Sequence, residues 1–136
     1  MVRPIVRDRM LLGMPSAPAT AADQAAAKDL EDTLEENLER CVGMAANMIG
    51  VRKQIIAVAC GYARFVMYNP VIVGKRDPFE AEEGCLSLDG TRKTTRYREI
   101  TVRYEDAFFR KRTETYRGWV AQIIQHEIDH CSGILI

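Results

Sequence analysis

Apolar residues recur at helical spacing through "AADQAAAKDLEDTLEENLERC". Leu30, Leu34 and Leu38 fall on one stripe, with acids and amides opposite. This predicts a helix over about residues 21–40, opened by Thr20 and Asp23 as a capping pair. The stretch before it, residues 1–19, carries Pro4, Pro15 and Pro18 and reads as irregular. After the helix comes "VGMAANMIGV", small and apolar, bounded by Gly43 and Gly50. "QIIAVAC" and "ARFVMYNPVIVG" read as strands, the second interrupted at Asn69-Pro70. "KRDPFEAEEG" reads as a polar connection, and "CLSLDG" as a short, turn-terminated piece. "EITVRYED" alternates, with Ile100, Val102 and Tyr104 on one face, and "KRTETYRG" continues the sheet. In "WVAQIIQHEIDHC", Trp119, Ile123 and His126 share a stripe that His130 and Ile134 extend. That pattern is a buried helix, and Gly133 is placed to end it.

Helix, several strands, helix is an α+β arrangement: mostly antiparallel strands packed around a C-terminal helix, with an N-terminal helix. The 136 residues fit one domain, 1–136, with no repeat or linker. Lysine plus arginine equals aspartate plus glutamate, 19 each, so bulk charge points to neither nucleic acid nor a membrane surface. No apolar run approaches the roughly 20 residues that span a bilayer. The N-terminus does not form a signal peptide, which makes the cytoplasm the expected location. The four cysteines, Cys41, Cys60, Cys85 and Cys131, are widely spaced, and reduced thiols are expected.

The chain has two histidines, both in "QHEIDHCSGILI". On a helix, positions i and i+4 share a face, with Cβ atoms roughly 6 Å apart. His126 and His130 can therefore aim two imidazoles at one ion, and Glu127 stands within reach of a metal-bound water. The alternative is a pair of core histidines on an amphipathic helix. A catalytic metal takes three protein ligands and keeps one open position. No His, Glu or Asp follows His130, and Cys131 lies about 100° around the helix, so the third ligand comes from upstream. Cys85, after Gly84 and before a short strand, can supply a thiolate, and Gly84 lets the backbone bend close to an ion. A buried, inert thiol is the competing reading for Cys85, and it suits Cys60 better. Cys41 ends the first helix.

"EGCLS" at Glu83–Ser87 together with "QHEIDHCSGIL" at Gln125–Leu135 resembles the peptide deformylases. A third family segment, G-x-G-L-A-A-x-Q-I-G, has its counterpart in "CVGMAANMIGV" at Cys41–Val51. The three occur in family order. The resemblance implies removal of the N-formyl group from the starting methionine of new polypeptides, by a metal held between strands and the HExxH helix. Cys85, His126 and His130 would bind one divalent ion, usually ferrous iron in this family, with zinc, nickel or cobalt as substitutes. Glu127 would be general base and acid, and the Leu86 N–H would hold the developing oxyanion. Gly43, Met44 and Gly84 would lie on the substrate side, with Glu83, Gln125 and Asp129 in support. Arg92 and Arg96 occupy a stretch where the family carries arginines, though solvated strand-end charge explains them equally. Met44, Trp119 and Ile124 would wall a methionine pocket, unless they are ordinary core. The implied partners are formylated nascent peptides, with the ribosome as a candidate place of contact; a monomer is expected, with no direct nucleic-acid signal and no membrane.

The match departs from the family at Met48, where an oxyanion-donating glutamine is usual; a thioether has no hydrogen to donate. Asn47, one residue earlier, would point to the opposite face of an extended segment. Cys41 replaces a glycine, Leu88-Asp89 an Ile-Pro, and Cys131 a leucine. Two readings follow: a working deformylase with an altered oxyanion site, or a weak or inactive relative that binds metal and blocked peptide N-termini.

Overall fold

In the computed structural model, which describes residues 1–136, five strands pair in sequence order into one antiparallel sheet. They are β1 (Gly43–Ala45), β2 (Ile55–Cys60), β3 (Ala63–Cys85), β4 (Leu88–Glu105) and β5 (Lys111–Arg117). The helices are α1 (Arg9–Leu12), α2 (Gln24–Glu36) and α3 (Gly118–Cys131). The α+β arrangement and both flanking helices are as expected. No helix is long and apolar enough to cross a membrane.

The sheet separates two apolar layers. Strand β2 is apolar throughout because both its faces are covered. Ile55, Ala57 and Ala59 join Leu30 and Leu34 of α2 on one side, while Ile56 and Val58 join Ile123 and Ile124 of α3 on the other. The same two-residue alternation runs through β1: Met44 enters the α2 layer and Ala45 the α3 layer. The Thr20–Asp23 capping box forms, but it opens a 3-10 turn at Ala21–Asp23, and α2 begins only at Gln24. Helix α2 stops at Glu36, so Leu38 and Cys41 lie in the connection to β1 and Cys41 does not end the helix. Residues 1–19 are not wholly irregular, since Asp8 caps the single turn α1.

The stretch "KRDPFEAEEG" departs furthest from expectation. It is no connection but the outer half of β3, paired with β4 from Lys75↔Ile100 to Gly84↔Thr91. This part of the hairpin is largely exposed, so no apolar alternation marks it. Cross-strand contacts serve instead: Arg76 with Glu99, Thr95 with Glu80, Lys75 over Tyr97 and Arg98 over Phe79. Asn69-Pro70 interrupts the ladder as expected, with a register shift between Tyr68 and Val71. Cys85 therefore ends a long strand and does not precede a short one; Leu86 and Ser87 turn the chain into β4.

Helix α3 ends in a Schellman arrangement, with Ile134 N–H donating to Asp129 O and Gly133 N–H to His130 O. Gly133 has φ +77°, and a Cβ there would stand 2.6 Å from the Gly13 carbonyl oxygen. Gly133→Ala is expected to destabilise the fold by at least about 2 kcal/mol, through left-handed strain plus overlap. A thermal melt should fall by at least about 5 °C; an unchanged midpoint would show that the two backbones do not meet this closely.

Candidate active site

One face of α3 looks onto the end of β3. The ligand atoms of Cys85, His126 and His130 all lie within 4.8 Å of one another. Cys85 Sγ is 3.3 Å from His130 Nε2, which is 3.1 Å from His126 Nε2. Helical spacing supplies the two rings, and the turn at Leu86–Ser87 sets the sulfur against them. Both imidazoles present the same nitrogen to the centre, so at most one proton sits between them.

Glu83 orients the arrangement. Its Oε1 is 2.8 Å from His126 Nδ1. A carboxylate there fixes the proton on Nδ1 and turns the Nε2 lone pair to the centre. The Arg96 guanidinium donates to both Glu83 oxygens and, through Nη1, to Asp129 at 2.6 Å. Gln122 Nε2 donates to Glu83 Oε2 at 2.8 Å. Burial opposes ionisation of Glu83, but His126, Arg96 and Gln122 outweigh it and hold the carboxyl down to about 2. Burial also opposes charge on His126, where Cys85 and Glu83 prevail and raise it. His130 is lowered, by burial and by the positive charge of His126 and Arg96.

Arg96 is 3% exposed, which overturns the solvated strand-end reading for it. Arg92 is half-buried, donating to the Asp89 carbonyl. Gln125 bridges to β4, accepting from Tyr97 N–H and donating to Tyr97 O, so it fastens α3 to the sheet.

A cleft of about 620 Å³ opens beside these groups. Gly43, Met48, Gly84, Cys85, Leu86 and Glu127 are among its lining residues. Glu127 is buried, and burial pushes its carboxyl up to about 7, helped by Glu83 and Asp129 and offset in part by His126 and Arg96. Its Oε1 meets no donor of the protein. A Cβ on Gly43 would lie 2.9 Å from Glu127 Oε2 and 2.7 Å from Ile123 Cγ2, so the bare backbone makes room for the carboxylate. Gly84 needs no such allowance, since its nearest contacts would be ordinary at 3.5 Å.

Two expected pocket walls lie elsewhere. Met44 points into the α2 layer because its neighbours Gly43 and Ala45 take the α3 side. Ile124 is fully buried under α3, one position round from the face that lines the cleft. That face carries Trp119, Gln122, Ile123 and His126, with Trp119 59% exposed at the rim. Met48 lines the cleft as expected. Asn47 does not reach it, for a reason other than strand alternation: Ala46–Ile49 is a 3-10 turn, and Asn47 Nδ2 donates to the His130 carbonyl at 2.9 Å. Sequence reasoning missed Gln122, although it sits four residues before His126 on the same helix face.

A sulfur and two imidazoles converging beside a buried carboxylate, on a helix backed by an antiparallel sheet, are the marks of a metal-dependent hydrolase of the HExxH type. Comparison with known proteins narrows the class. Residues 4–136 match the family described as Polypeptide deformylase. A peptide deformylase of Clostridium beijerinckii is 52% identical over 136 residues, the full length of both chains. The Met-Ala-Ser-bound crystal structure of the class I type b peptide deformylase of Acinetobacter baumannii superposes with a TM-score of 0.89 at 28% identity, covering 99% of this chain and 97% of that one. The peptide deformylase structure from Thermus thermophilus gives 0.87 at 33% identity, covering 98% and 83%. The chain belongs to the polypeptide deformylase family.

Arg96→Leu should leave Glu83 and Asp129 without their shared cation and cost about 3–5 kcal/mol in urea unfolding of the metal-free chain at pH 7. Glu83 titrates below its ordinary 4.5, so its stabilisation is present above that pH and is lost as pH falls toward about 2. The variant should show a shallower loss of stability across that window; an equally steep loss would assign it to other carboxylates.

Proposed function

We infer that this protein is a peptide deformylase, hydrolysing the N-formyl group from the N-terminal methionine of newly made polypeptides and releasing formate. The observation that carries the reading is the convergence of Cys85, His126 and His130 beside buried Glu127, in a chain 52% identical to a peptide deformylase over its full length. The related Acinetobacter baumannii structure holds Met-Ala-Ser, a peptide that begins with methionine. That supports a methionine-led substrate for the cleft here.

The donor set suits one divalent ion: a thiolate and two imidazoles bind iron(II) or zinc, and Glu83 steadies the first imidazole from behind. Ferrous iron is our assignment, with zinc, nickel or cobalt able to replace it. When bound, the ion supplies a water acidified toward neutral pH and polarises the formyl oxygen. Glu127 takes the proton of the attacking water and passes it to the departing amine nitrogen, so the formyl C–N bond breaks with formate and a free amine as products. A carboxyl held up near neutrality is matched to that exchange. Leu86 N–H, which donates to no other backbone group, faces the charge that develops on the formyl oxygen. Gly43 keeps the floor low beside Glu127, while Trp119 and Ile123 offer apolar wall to the methionine side chain. We assign residues 1–136 as one working unit, a monomer acting on nascent peptides in the cytoplasm.

Formate release from a formyl-Met peptide by the anaerobic, iron-loaded protein tests the reading directly. Glu127→Gln should abolish turnover while metal content stays near one equivalent; turnover no higher than that of free metal would reject it. Met48→Gln restores a donor at the cleft and should raise kcat by at least about tenfold, within the about 100- to 1000-fold that one oxyanion donor can contribute. An unchanged kcat would place the oxyanion elsewhere.

A further inference from the structure

Residues near the start of the chain meet two segments that line the cleft. Val6 N–H donates to the Met48 carbonyl at 2.8 Å. The next residue, Arg7, forks its guanidinium: Nη1 donates to the Leu86 carbonyl at 3.2 Å and Nη2 to Asp89 Oδ1 at 2.6 Å. Ile5 and Val6 pack against the α2 core layer, so the base of this fork is anchored. Two consecutive residues thus tie together the segments that carry Met48 and Leu86, which are otherwise separate walls of the cleft.

The turn needs such a hold. Leu86 and Ser87 lie between β3 and β4, outside both strand spans, and the register shifts between Gly84 and Cys85 just before them. Met48 offers no hydrogen, so in the reading above the Leu86 amide is the donor that the backbone supplies to the oxyanion. A donor acts there only if it is fixed in advance on the position where charge develops. The Leu86 carbonyl lies in the turn and the Asp89 carboxylate just after it, and a planar fork spanning both restrains rotation of the turn in a way a point charge does not.

We propose that Arg7 is a positioning residue for the reaction: it braces the Leu86–Ser87 turn so that the Leu86 N–H is held toward the formyl oxygen. The proposal rests on the deformylase reading for its consequence in rate, but not for the brace itself. Arg7 and Asp89 side chains are 56% and 96% exposed, so their ion pair adds little to global stability and its loss leaves the fold intact.

The test uses the full metal-loaded chain. With iron, Arg7→Ala should lower kcat about three- to tenfold with KM within about twofold, and Asp89→Ala should give a smaller drop of the same kind. Arg7→Lys should fall between them, since one ammonium cannot span both acceptors. With diamagnetic zinc, the Leu86 amide order parameter should drop from about 0.85 toward 0.6 in Arg7→Ala, while amides of α3 stay unchanged. A Leu86 amide as rigid in the variant as in the wild type overturns the proposal, as does an unchanged kcat in an active enzyme. If the wild type shows no turnover but the amide loosens, the brace stands and the deformylase reading is what fails.

Discussion

Glu83 is the interaction on which the rest of the site depends. It leaves β3 two residues before Cys85, accepts from Arg96 of β4, and accepts from Gln122 and His126 of α3. One buried carboxylate therefore locks three elements, and the same bonds set the tautomer of a proposed metal ligand. Without its partners a buried carboxylate would protonate or pull water inward. With them it stays ionised, and its charge is used to orient an imidazole. Asp129 extends the network through Arg96, which makes the helix that carries His130 part of the same charge balance.

The hairpin of β3 and β4 places this network. Its inner half lies against apolar layers, and its outer half is nearly free of core contact, yet the strands continue to Cys85. An early turn at the polar stretch would have left the sulfur out of reach of α3. Length is thus functional here: paired backbone carries Glu83 and Cys85 to the histidines, and the turn just beyond presents Leu86. The N-terminal segment then meets that turn through Arg7, so the walls of the site are tied by residues distant in sequence.

What could be read from the sequence follows from how local each signal is. His126, Glu127 and His130 announce themselves because helical spacing alone puts them on one face. The apolar run of β2 and the alternation at Ile100, Val102 and Tyr104 likewise need only neighbouring residues. The outer half of β3 is illegible because an exposed strand stabilised by cross-strand pairs lacks a hydrophobic period; its partners lie far off in sequence, 23 residues away for Arg76 and Glu99. The sequence leaves Arg96 open between two readings for the same reason. Nothing near it in "RKTTRYRE" shows that two carboxylates, one 13 residues before and one 33 after, close around it. Met44 failed on parity: a single position along β1 decides which layer a side chain enters.

The residues that remain unsatisfied are the informative ones. Glu127 is enclosed by α3 and β1, yet one of its oxygens meets no protein donor. A carboxylate kept for stability would resemble Glu83, saturated with donors and strongly acidic. Glu127 is the reverse, held up near neutrality mainly by burial and given space by the bareness of Gly43. Two glutamates of one site are thus driven apart in acidity by their surroundings. In the proposed reaction the first would hold a fixed charge and the second would exchange a proton, which is the division of labour that amide hydrolysis at neutral pH demands.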